Sequence, residues 1–264
     1  MASAVRERPD SSCPACEGLV TSIDTLPRIR QPMNDHQEPE FDRYAQSYSD
    51  MHQRSISVSG EEPGYFSAYK AAYMAGSLES HRDAAFDLLD FGCGIGGSVP
   101  HLRSNFPRAR ILGMDVSGQS VEMAGQANPE AHFRKIEGQR LDLEDDCIDV
   151  SMVACVYHHI PPGERLAWTR ELQRVIRPGG RLFLFEHNPL NPLTRKVVRD
   201  CAFDEDAILL PHKETLALFK QAGFKEIKLD YIVFFPKFLG FLRPLEKRLS
   251  SVPLGAQYVV HGVA

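Results

Sequence analysis

Residues 87–97 read DLLDFGCGIGG, and this stretch decides how the rest of the chain is interpreted. An apolar run ends at Asp90 and Phe91, and glycines follow at positions 92, 94 and 96. Glycine permits positive φ angles and lets backbone amides come close to a ligand. A strand, a glycine-rich turn and a helix in this order form a nucleotide-type pocket at the carboxyl end of a parallel sheet.

A second apolar run at 111–114 ends in Asp115, whose carboxylate can accept hydrogen bonds from both hydroxyls of a ribose. Two cofactors fit these features. Gly92, Gly94 and Gly97 satisfy G-x-G-x-x-G, which is a weak indication of a dinucleotide. Asp90 favours S-adenosylmethionine instead, because a carboxylate two residues before the first glycine can organise the turn and hold an amino-acid ammonium group.

Further motifs follow in a fixed order: GMDVS (113–117), Glu137-Gly138, CIDVSMVACVYHHI (147–160) and ELQRVIRPGGRLFLFEH (171–187). Together with LLDFGCGIGG (88–97), they resemble the class I S-adenosylmethionine-dependent methyltransferase family. The resemblance covers residues 86–186 directly. It implies an α/β three-layer sandwich around a seven-stranded, mostly parallel sheet with an antiparallel last strand, and S-adenosyl-L-methionine as the co-substrate.

The apolar runs alternate with helical patterns, which predicts a mostly parallel sheet covered on both faces. Strands are predicted near 86–91, 110–114, 131–136, 148–155, 180–187, 227–234 and 257–262. Helices are predicted at 95–106, 118–127, 163–176 and 212–222.

The resemblance implies a set of cofactor-binding residues along the carboxyl edge of this sheet. The three glycines of the turn would form the floor under the cofactor, and Asp115 would bind the ribose. Glu137-Gly138 would receive the adenine amine, with Asp142 or the acidic run 144–146 as the competing assignment. The full set is Asp90, Gly92, Cys93, Gly94, Gly96, Asp115, Val116, Glu137, Gly138, Cys155 and Tyr44.

Candidate catalytic residues follow the fourth and fifth predicted strands, where such a pocket opens. They are His159, Glu186 and His187. Each histidine either contacts the ligand, acts as a base or plays a structural role. A role as a base is suggested because the ordinary pKa of histidine lies near physiological pH. We expect His158 to face away from His159. Methyl transfer from a sulfonium requires no metal, so no metal site is expected.

The sequence predicts two regions, an N-terminal arm and a folded domain. Residues 1–40 are rich in proline and polar residues and predict a disordered arm. Residues 41–264 predict the methyltransferase domain, which begins with a helical segment at 41–80. Aromatic residues recur at helical spacing there, and they either pack on the sheet or form a lid over the cofactor, with Tyr44 and Tyr48 as the expected pocket residues.

Composition narrows the function further. The formal net charge of −5 argues against a nucleic-acid partner, which usually requires a basic excess. The sequence has no apolar run long enough to span a bilayer, no basic-then-apolar leader and only scattered cysteines. These features predict a cytoplasmic protein with reduced thiols.

Residues 238–249 form an amphipathic pattern with apolar residues on one helical face. This face predicts peripheral membrane contact, the mouth for a lipid-like substrate, a homodimer interface or core packing. The acceptor is expected to be a small molecule, namely a lipid, quinone-like, sugar-linked or secondary-metabolite compound. The alternatives are an NAD-dependent oxidoreductase and a non-catalytic S-adenosylmethionine-binding partner subunit.

Overall fold

A computed structural model describes residues 59–264, apart from 202, 203 and 205. The arm predicted for 1–40 and the first part of the helical segment, with Tyr44 and Tyr48, lie outside the described residues. The division into an arm and a domain at residue 41 therefore stays a prediction.

Seven strands form one sheet in the order β3-β2-β1-β4-β5-β7-β6. The strands are β1 (Asp87–Phe91), β2 (Arg110–Asp115), β3 (His132–Lys135), β4 (Ile148–Ala154), β5 (Ile176–His187), β6 (Lys225–Ile232) and β7 (Gln257–Val263). The pairs from β3 to β5 are parallel, and β7 runs antiparallel to both β5 and β6. The predicted mostly parallel sheet with an antiparallel last strand is confirmed.

Helices cover both faces of the sheet. They are α1 (Pro63–Ser77), α2 (Val99–Asn105), α3 (Gly118–Ala127), α4 (Arg165–Val175), α5 (Pro192–Arg199), α6 (His212–Ala222) and α7 (Glu246–Leu249). Leu88 of β1 packs in the core cluster with Met74 of α1 and Leu102 of α2. Phe91 points to the opposite face, where its ring centroid lies 5.4 Å from that of Trp168 on α4. Alternate side chains of one strand thus build the two hydrophobic layers.

Local sequence sets the ends of the helices that border the site. Ser117 caps α3, because its side chain accepts a hydrogen bond from the Ser120 amide at 3.0 Å. Asn191 caps α5 in the same way through the amides of Leu193 and Thr194. Gly223 ends α6 with a left-handed φ of 99°, a conformation that favours glycine.

Two elements begin four residues away from their predicted bounds. The second helix begins at Val99 rather than 95, because residues 92–98 stay in a turn with positive φ at Gly94 and Gly96. Strand β5 begins at Ile176 rather than 180, and its pairing with β4 contains a register shift. The amphipathic pattern at 238–249 corresponds to a 3-10 segment, Lys237–Leu245, followed by α7. Within the described part of the chain, no helix combines the length and apolar character that crossing a membrane requires.

The strand order reverses between β1 and β4, since β2 follows β1 on one side and β4 lies on the other. Open α/β sheets bind ligands in the crevice at the carboxyl ends of the strands at such a point. The topology therefore directs attention to the residues that follow β1, β2, β4 and β5.

Candidate functional site

A cavity of about 970 Å³ lies at this crevice. Its wall includes the carboxyl ends of four strands, marked by Asp90, Asp115, Ala154 and His187. Small-molecule sites usually measure roughly 300–1,000 Å³, so this cavity has room for a cofactor together with an acceptor.

The glycine turn separates two roles that look alike in the sequence. The Gly92 amide donates to the Met114 carbonyl at 2.7 Å, and a Cβ at Gly92 would lie 2.3 Å from Cγ2 of Val156. Gly92 is therefore required for packing. Gly94 has a φ of 50°, and a Cβ there would meet no atom within 4 Å. Gly94 thus presents bare backbone to the cavity, which leaves space for a ligand.

Gly96 does not line the cavity, in contrast to the prediction. Its φ is 78°, and a Cβ would lie 2.7 Å from Nδ2 of Asn128 at the end of α3. The residue allows the turn to pack closely on that helix. Ile95 and Gly97 reach the cavity wall in its place.

Asp115 lines the cavity with its carboxylate fixed by backbone donors. Oδ2 accepts from the Gly94 amide at 2.8 Å, and Oδ1 accepts from the Ser117 amide at 2.9 Å. These hydrogen bonds orient the carboxylate and join the turn after β1 to the start of α3. Cys93 and Val116, the neighbours of these residues in the sequence, also line the cavity.

Asp90 is a buried carboxylate in the cavity wall, only 1% exposed. Within residues 59–264 as described, its Oδ2 has no hydrogen-bond partner. Burial raises the pKa of Asp90 to about 7; Asp115 adds to this effect and Lys70 opposes it. Such a carboxylate is suited to a cationic ligand group, because no cation of the described residues pairs with it and one of its oxygens can still accept a hydrogen bond.

Lys70 was missed by the sequence analysis, which considered only the apolar stripe of α1. It is 7% exposed and lines the cavity. Its charge affects Asp90, Cys155 and His187, yet no ion pair joins it to a carboxylate of the described residues. The cavity therefore contains a buried cation and a buried anion that are not directly paired.

The predicted adenine region is only partly in the cavity wall. Gly138 lines the cavity together with Ile136 and Gln139, whereas Glu137 is exposed and outside the wall. The competing acidic run also lies on the surface, where Asp145 pairs with Arg174 at 2.5 Å.

His158 and His159 lie side by side, contrary to the expectation that they face apart. They occupy a 3-10 turn, Tyr157–His159, after β4, and their ring centroids are 4.1 Å apart. Both rings line the cavity, as do His187 and Cys155. His187 is 5.1 Å from His158 between ring centroids, so the two predicted histidines and His158 form one cluster.

Glu186 lies behind this cluster rather than in the cavity wall. It is fully buried; Oε1 accepts from the Tyr157 amide and Oε2 contacts Nδ1 of His158, both at 2.7 Å. Asp204, from the loop after α5, contacts Nε2 of both His158 and His159 at 3.4 Å. Glu186 therefore holds a histidine in place and does not face an acceptor itself.

The histidines differ in charge. Burial opposes the charge on His158, but the nearby carboxylates of Glu186 and Asp204 outweigh this effect and raise the pKa of His158 to about 10. Burial and the charge of His158 lower the pKa of His159 and of His187 to about 4. The latter two rings are therefore neutral near pH 7, with one nitrogen able to accept a proton.

Helix α1 forms one wall of the cavity. Tyr65 and Phe66 line it, whereas the Tyr69 hydroxyl donates to Oε2 of Glu246 at 2.7 Å. Oε1 of Glu246 accepts from the amides of Phe234 and Phe235, which line the same cavity. In the described half of the helical segment, Tyr65 and Phe66 thus lie in the cavity wall, and Tyr69 anchors the helix to Glu246.

The mouth of the cavity is apolar and exposed. Phe238 and Phe241 of the 3-10 segment are 75% and 76% exposed, and Leu193 of α5 is 59% exposed. Phe238 and Leu193 also line the cavity. Among the residues that the structure describes, these two phenylalanines therefore do not belong to the core.

Comparison with known proteins gives a consistent result. A family model described as a methyltransferase domain matches residues 89–184. The 2-methyl-6-phytyl-1,4-hydroquinone methyltransferase of Synechocystis is 31% identical over 122 residues, which cover 42% of this chain and 37% of that protein. The ubiquinone/menaquinone biosynthesis C-methyltransferase of Syntrophotalea carbinolica is 27% identical over 166 residues, which cover 61% of this chain and 65% of that protein. The chain spans less than two thirds of either relative.

The fold is also that of known methyltransferases. A crystal structure of an S-adenosylmethionine-dependent methyltransferase from Thermotoga maritima aligns with a TM-score of 0.63 at 20% identity, covering 84% of this chain and 97% of that one. The match identifies residues 89–184 as a methyltransferase domain, and the strand order with antiparallel β7 and the glycine turn after β1 give the chain the class I methyltransferase fold.

Proposed function

We propose that this protein transfers the methyl group of S-adenosylmethionine to an apolar small molecule. The observation that carries the proposal is the unpaired charge in the cavity. Asp90 offers a buried oxygen without a partner among the described residues, and Lys70 offers a buried ammonium group. The methionyl end of the cofactor carries both an ammonium and a carboxylate, so it would complement both side chains.

Other residues of the wall fit the rest of the cofactor. Asp115 is held by two amides in an orientation suited to the ribose hydroxyls. The open backbone at Gly94 leaves room beside it, and Ile136 and Gly138 offer an apolar edge for the adenine. Glu137 is exposed and is therefore a weaker partner for the adenine amine than the sequence predicts.

The cofactor supplies an electrophilic methyl group on a sulfonium when bound. The chain's own residues hold the acceptor in line with that methyl and exclude water from it. His159 and His187 are neutral and line the cavity, so either ring can accept a proton from an oxygen or nitrogen nucleophile. Glu186 acts as a positioning residue through His158.

The acceptor side of the cavity favours an apolar compound. Phe66, Trp168, Val197, Phe234 and Phe235 line it, and Phe238 continues this surface to the mouth. Two of the relatives are named for hydroquinone and for ubiquinone or menaquinone methylation. Both facts support a lipid or quinone-like acceptor over a sugar-linked one.

We further propose that the Lys237–Leu245 segment contacts a membrane surface, from which such an acceptor would enter. Phe238 and Phe241 project from it, and Lys237 and the neighbouring Lys247 and Arg248 are exposed cations. Sedimentation with anionic vesicles should deplete the protein from solution, and a F238D/F241D variant should stay soluble. If the wild type instead forms a dimer that this variant abolishes, the face is a homodimer interface. The reduced thiols of Cys93 and Cys155 support a cytoplasmic location.

Two measurements test the function. Calorimetric titration should show binding of S-adenosylmethionine and S-adenosylhomocysteine and none of NADH. Incubation with S-adenosylmethionine labelled in its methyl group should then transfer the label to a compound from a lipid extract. Binding of NADH alone would support an oxidoreductase. Cofactor binding without transfer to lipid, quinone or aqueous extracts would support a non-catalytic partner subunit.

A further inference from the structure

We propose that His158, His159 and Asp204 form a binding site for one divalent transition-metal ion in the cavity wall. One donor atom from each residue lies within 4.8 Å of the other two. The histidines come from the turn after β4, and Asp204 comes from the loop after α5. All three residues line the cavity.

The spacing of the donor atoms fits a shared cation. Oδ1 of Asp204 is 3.4 Å from Nε2 of His158 and 3.4 Å from Nε2 of His159. Hydrogen bonds between nitrogen and oxygen usually measure about 2.7–3.2 Å. Two ligand atoms that bind one ion at ~2.1 Å with a tetrahedral angle lie roughly 3.4 Å apart.

A second carboxylate orients the first ligand. Oε2 of Glu186 contacts Nδ1 of His158 at 2.7 Å, and Oε1 of Glu186 is fixed by the Tyr157 amide. Ligand histidines usually donate the other ring N–H to a carboxylate in this manner, which selects the tautomer and directs Nε2 to the metal. The contact thus leaves Nε2 of His158 available on the Asp204 side.

The charge of the cluster is also suited to a cation. Glu186 and Asp204 are both buried, and their only ion-pair partners in the described part of the chain are histidines. A divalent ion bound by neutral imidazoles would balance the two carboxylates. Without a metal ion, the two buried carboxylates contact a single imidazolium, that of His158, which balances only one of them.

The ligand types indicate the class of metal. Two imidazoles and one carboxylate suit zinc, iron(II) or cobalt(II), whereas magnesium and calcium prefer oxygen ligands throughout. Three protein ligands leave at least one coordination position open. Because all three residues line the cavity, an oxygen of the methyl acceptor can take such a position, a role that rests on the proposed function.

The test uses the full chain with a purification tag that contains no histidine, after metal removal by a chelator and dialysis. Cobalt(II) is titrated with detection of its visible absorption, and zinc(II) is titrated in competition. The variants are His159→Ala and Asp204→Asn. The control is His132→Ala, which removes an exposed imidazole on β3. S-adenosylhomocysteine affinity and circular dichroism are measured on every sample.

We expect one cobalt ion per chain, displaced by zinc. Loss of a ligand should weaken binding by about 100-fold or more, and Glu186→Gln should weaken it about 10- to 100-fold, as for other carboxylates behind a ligand histidine. The His132 variant should keep wild-type affinity. The metal site would be refuted if the wild type showed no saturable cobalt binding, or if the His159 and Asp204 variants bound cobalt as tightly as the wild type. The cluster would then be bridged by a proton alone. Protein that binds S-adenosylhomocysteine but no metal overturns the metal site alone, and the converse overturns the proposed cofactor alone.

Discussion

Asp90 is the residue on which the proposed cofactor site depends most directly. Its carboxylate is buried, one oxygen has no partner in the described part of the chain, and burial raises its pKa to about 7. Asp115 raises this pKa further, and Lys70 lowers it. An ammonium group beside Asp90 favours the ionised form. Affinity for S-adenosylhomocysteine should therefore fall as the pH falls through 7, because a neutral Asp90 must lose its proton on binding.

The size of the effect follows from this pKa. With a pKa of about 7, roughly three quarters of the free protein has an ionised Asp90 at pH 7.5, and about 3% has it at pH 5.5. If only the ionised form binds, affinity falls about 25-fold, on the order of 2 kcal/mol. Asp90→Asn should weaken binding about 10- to 100-fold at pH 7.5, since a charge-assisted hydrogen bond contributes roughly 1.5–3 kcal/mol.

The raised pKa of Asp90 has the opposite effect on the stability of the free protein, which falls as the pH rises. The pKa of Asp90 is higher in the folded protein than its ordinary value of 3.8, so the folded state holds this proton more tightly. Ionisation therefore destabilises the free protein as the pH rises from about 4 to 7. At pH 7.5 the Asp90→Asn variant should be at least as stable as the wild type. Lower affinity without lower stability is the signature of a residue kept for binding.

Calorimetric titrations with S-adenosylhomocysteine at pH 5.5, 6.5 and 7.5, together with thermal unfolding without ligand, measure both effects. The Asp90→Asn variant is the control for other titrating groups, because its affinity should change little over this range. A wild-type affinity that is constant with pH, or a variant that binds as tightly as the wild type, would refute the role of Asp90.

Three further predictions concern the same cavity. Asp115→Ala should weaken cofactor binding about 10- to 100-fold through loss of roughly 1.5–3 kcal/mol; a calorimetric change under about twofold would contradict the ribose assignment. Gly94→Val should abolish cofactor binding while it destabilises the fold by only about 1–2 kcal/mol of backbone strain. Gly92→Ala should lower the melting temperature more, because its Cβ would clash with Val156. If thermal unfolding showed the larger loss of stability for the Gly94 variant, the two roles would be reversed. His187→Ala should lower kcat about 10²- to 10⁴-fold at unchanged cofactor affinity if the ring is a base, and a rise in KM alone would limit it to shaping the pocket.

The sheet and the cofactor turn could be predicted from the sequence because their signals are local. All five residues of β1 are buried, as a central parallel strand requires, and the glycines that follow adopt the positive φ angles that they permit. Asp115 ends the neighbouring strand, so its place beside the turn follows from the topology alone. The ends of elements were less predictable, because the turn after β1 delays α2 by four residues.

The histidine cluster could not be predicted, because it depends on contacts between distant parts of the chain. His158 and Asp204 are far apart in the sequence and meet only when the loop after α5 packs on the turn after β4. Strand geometry would place adjacent side chains on opposite faces. The 3-10 turn instead leaves His158 and His159 close enough for their rings to contact. Gly94 and Gly96 look alike in the sequence for the same reason. Only the packing shows that Gly94 borders the cavity whereas Gly96 packs against α3.

Two aspartates of β1 show how one strand serves both stability and binding. Asp87 is buried, and its carboxylate accepts hydrogen bonds from Arg110 and Arg177. Asp90, three residues later, is equally buried but has an oxygen without a partner among the described residues. A buried carboxylate that only stabilised the fold would be paired as Asp87 is, because an unpaired one is unfavourable. The difference lies at the end of the strand that opens into the cavity, so the charge missing beside Asp90 is the charge that a ligand would bring.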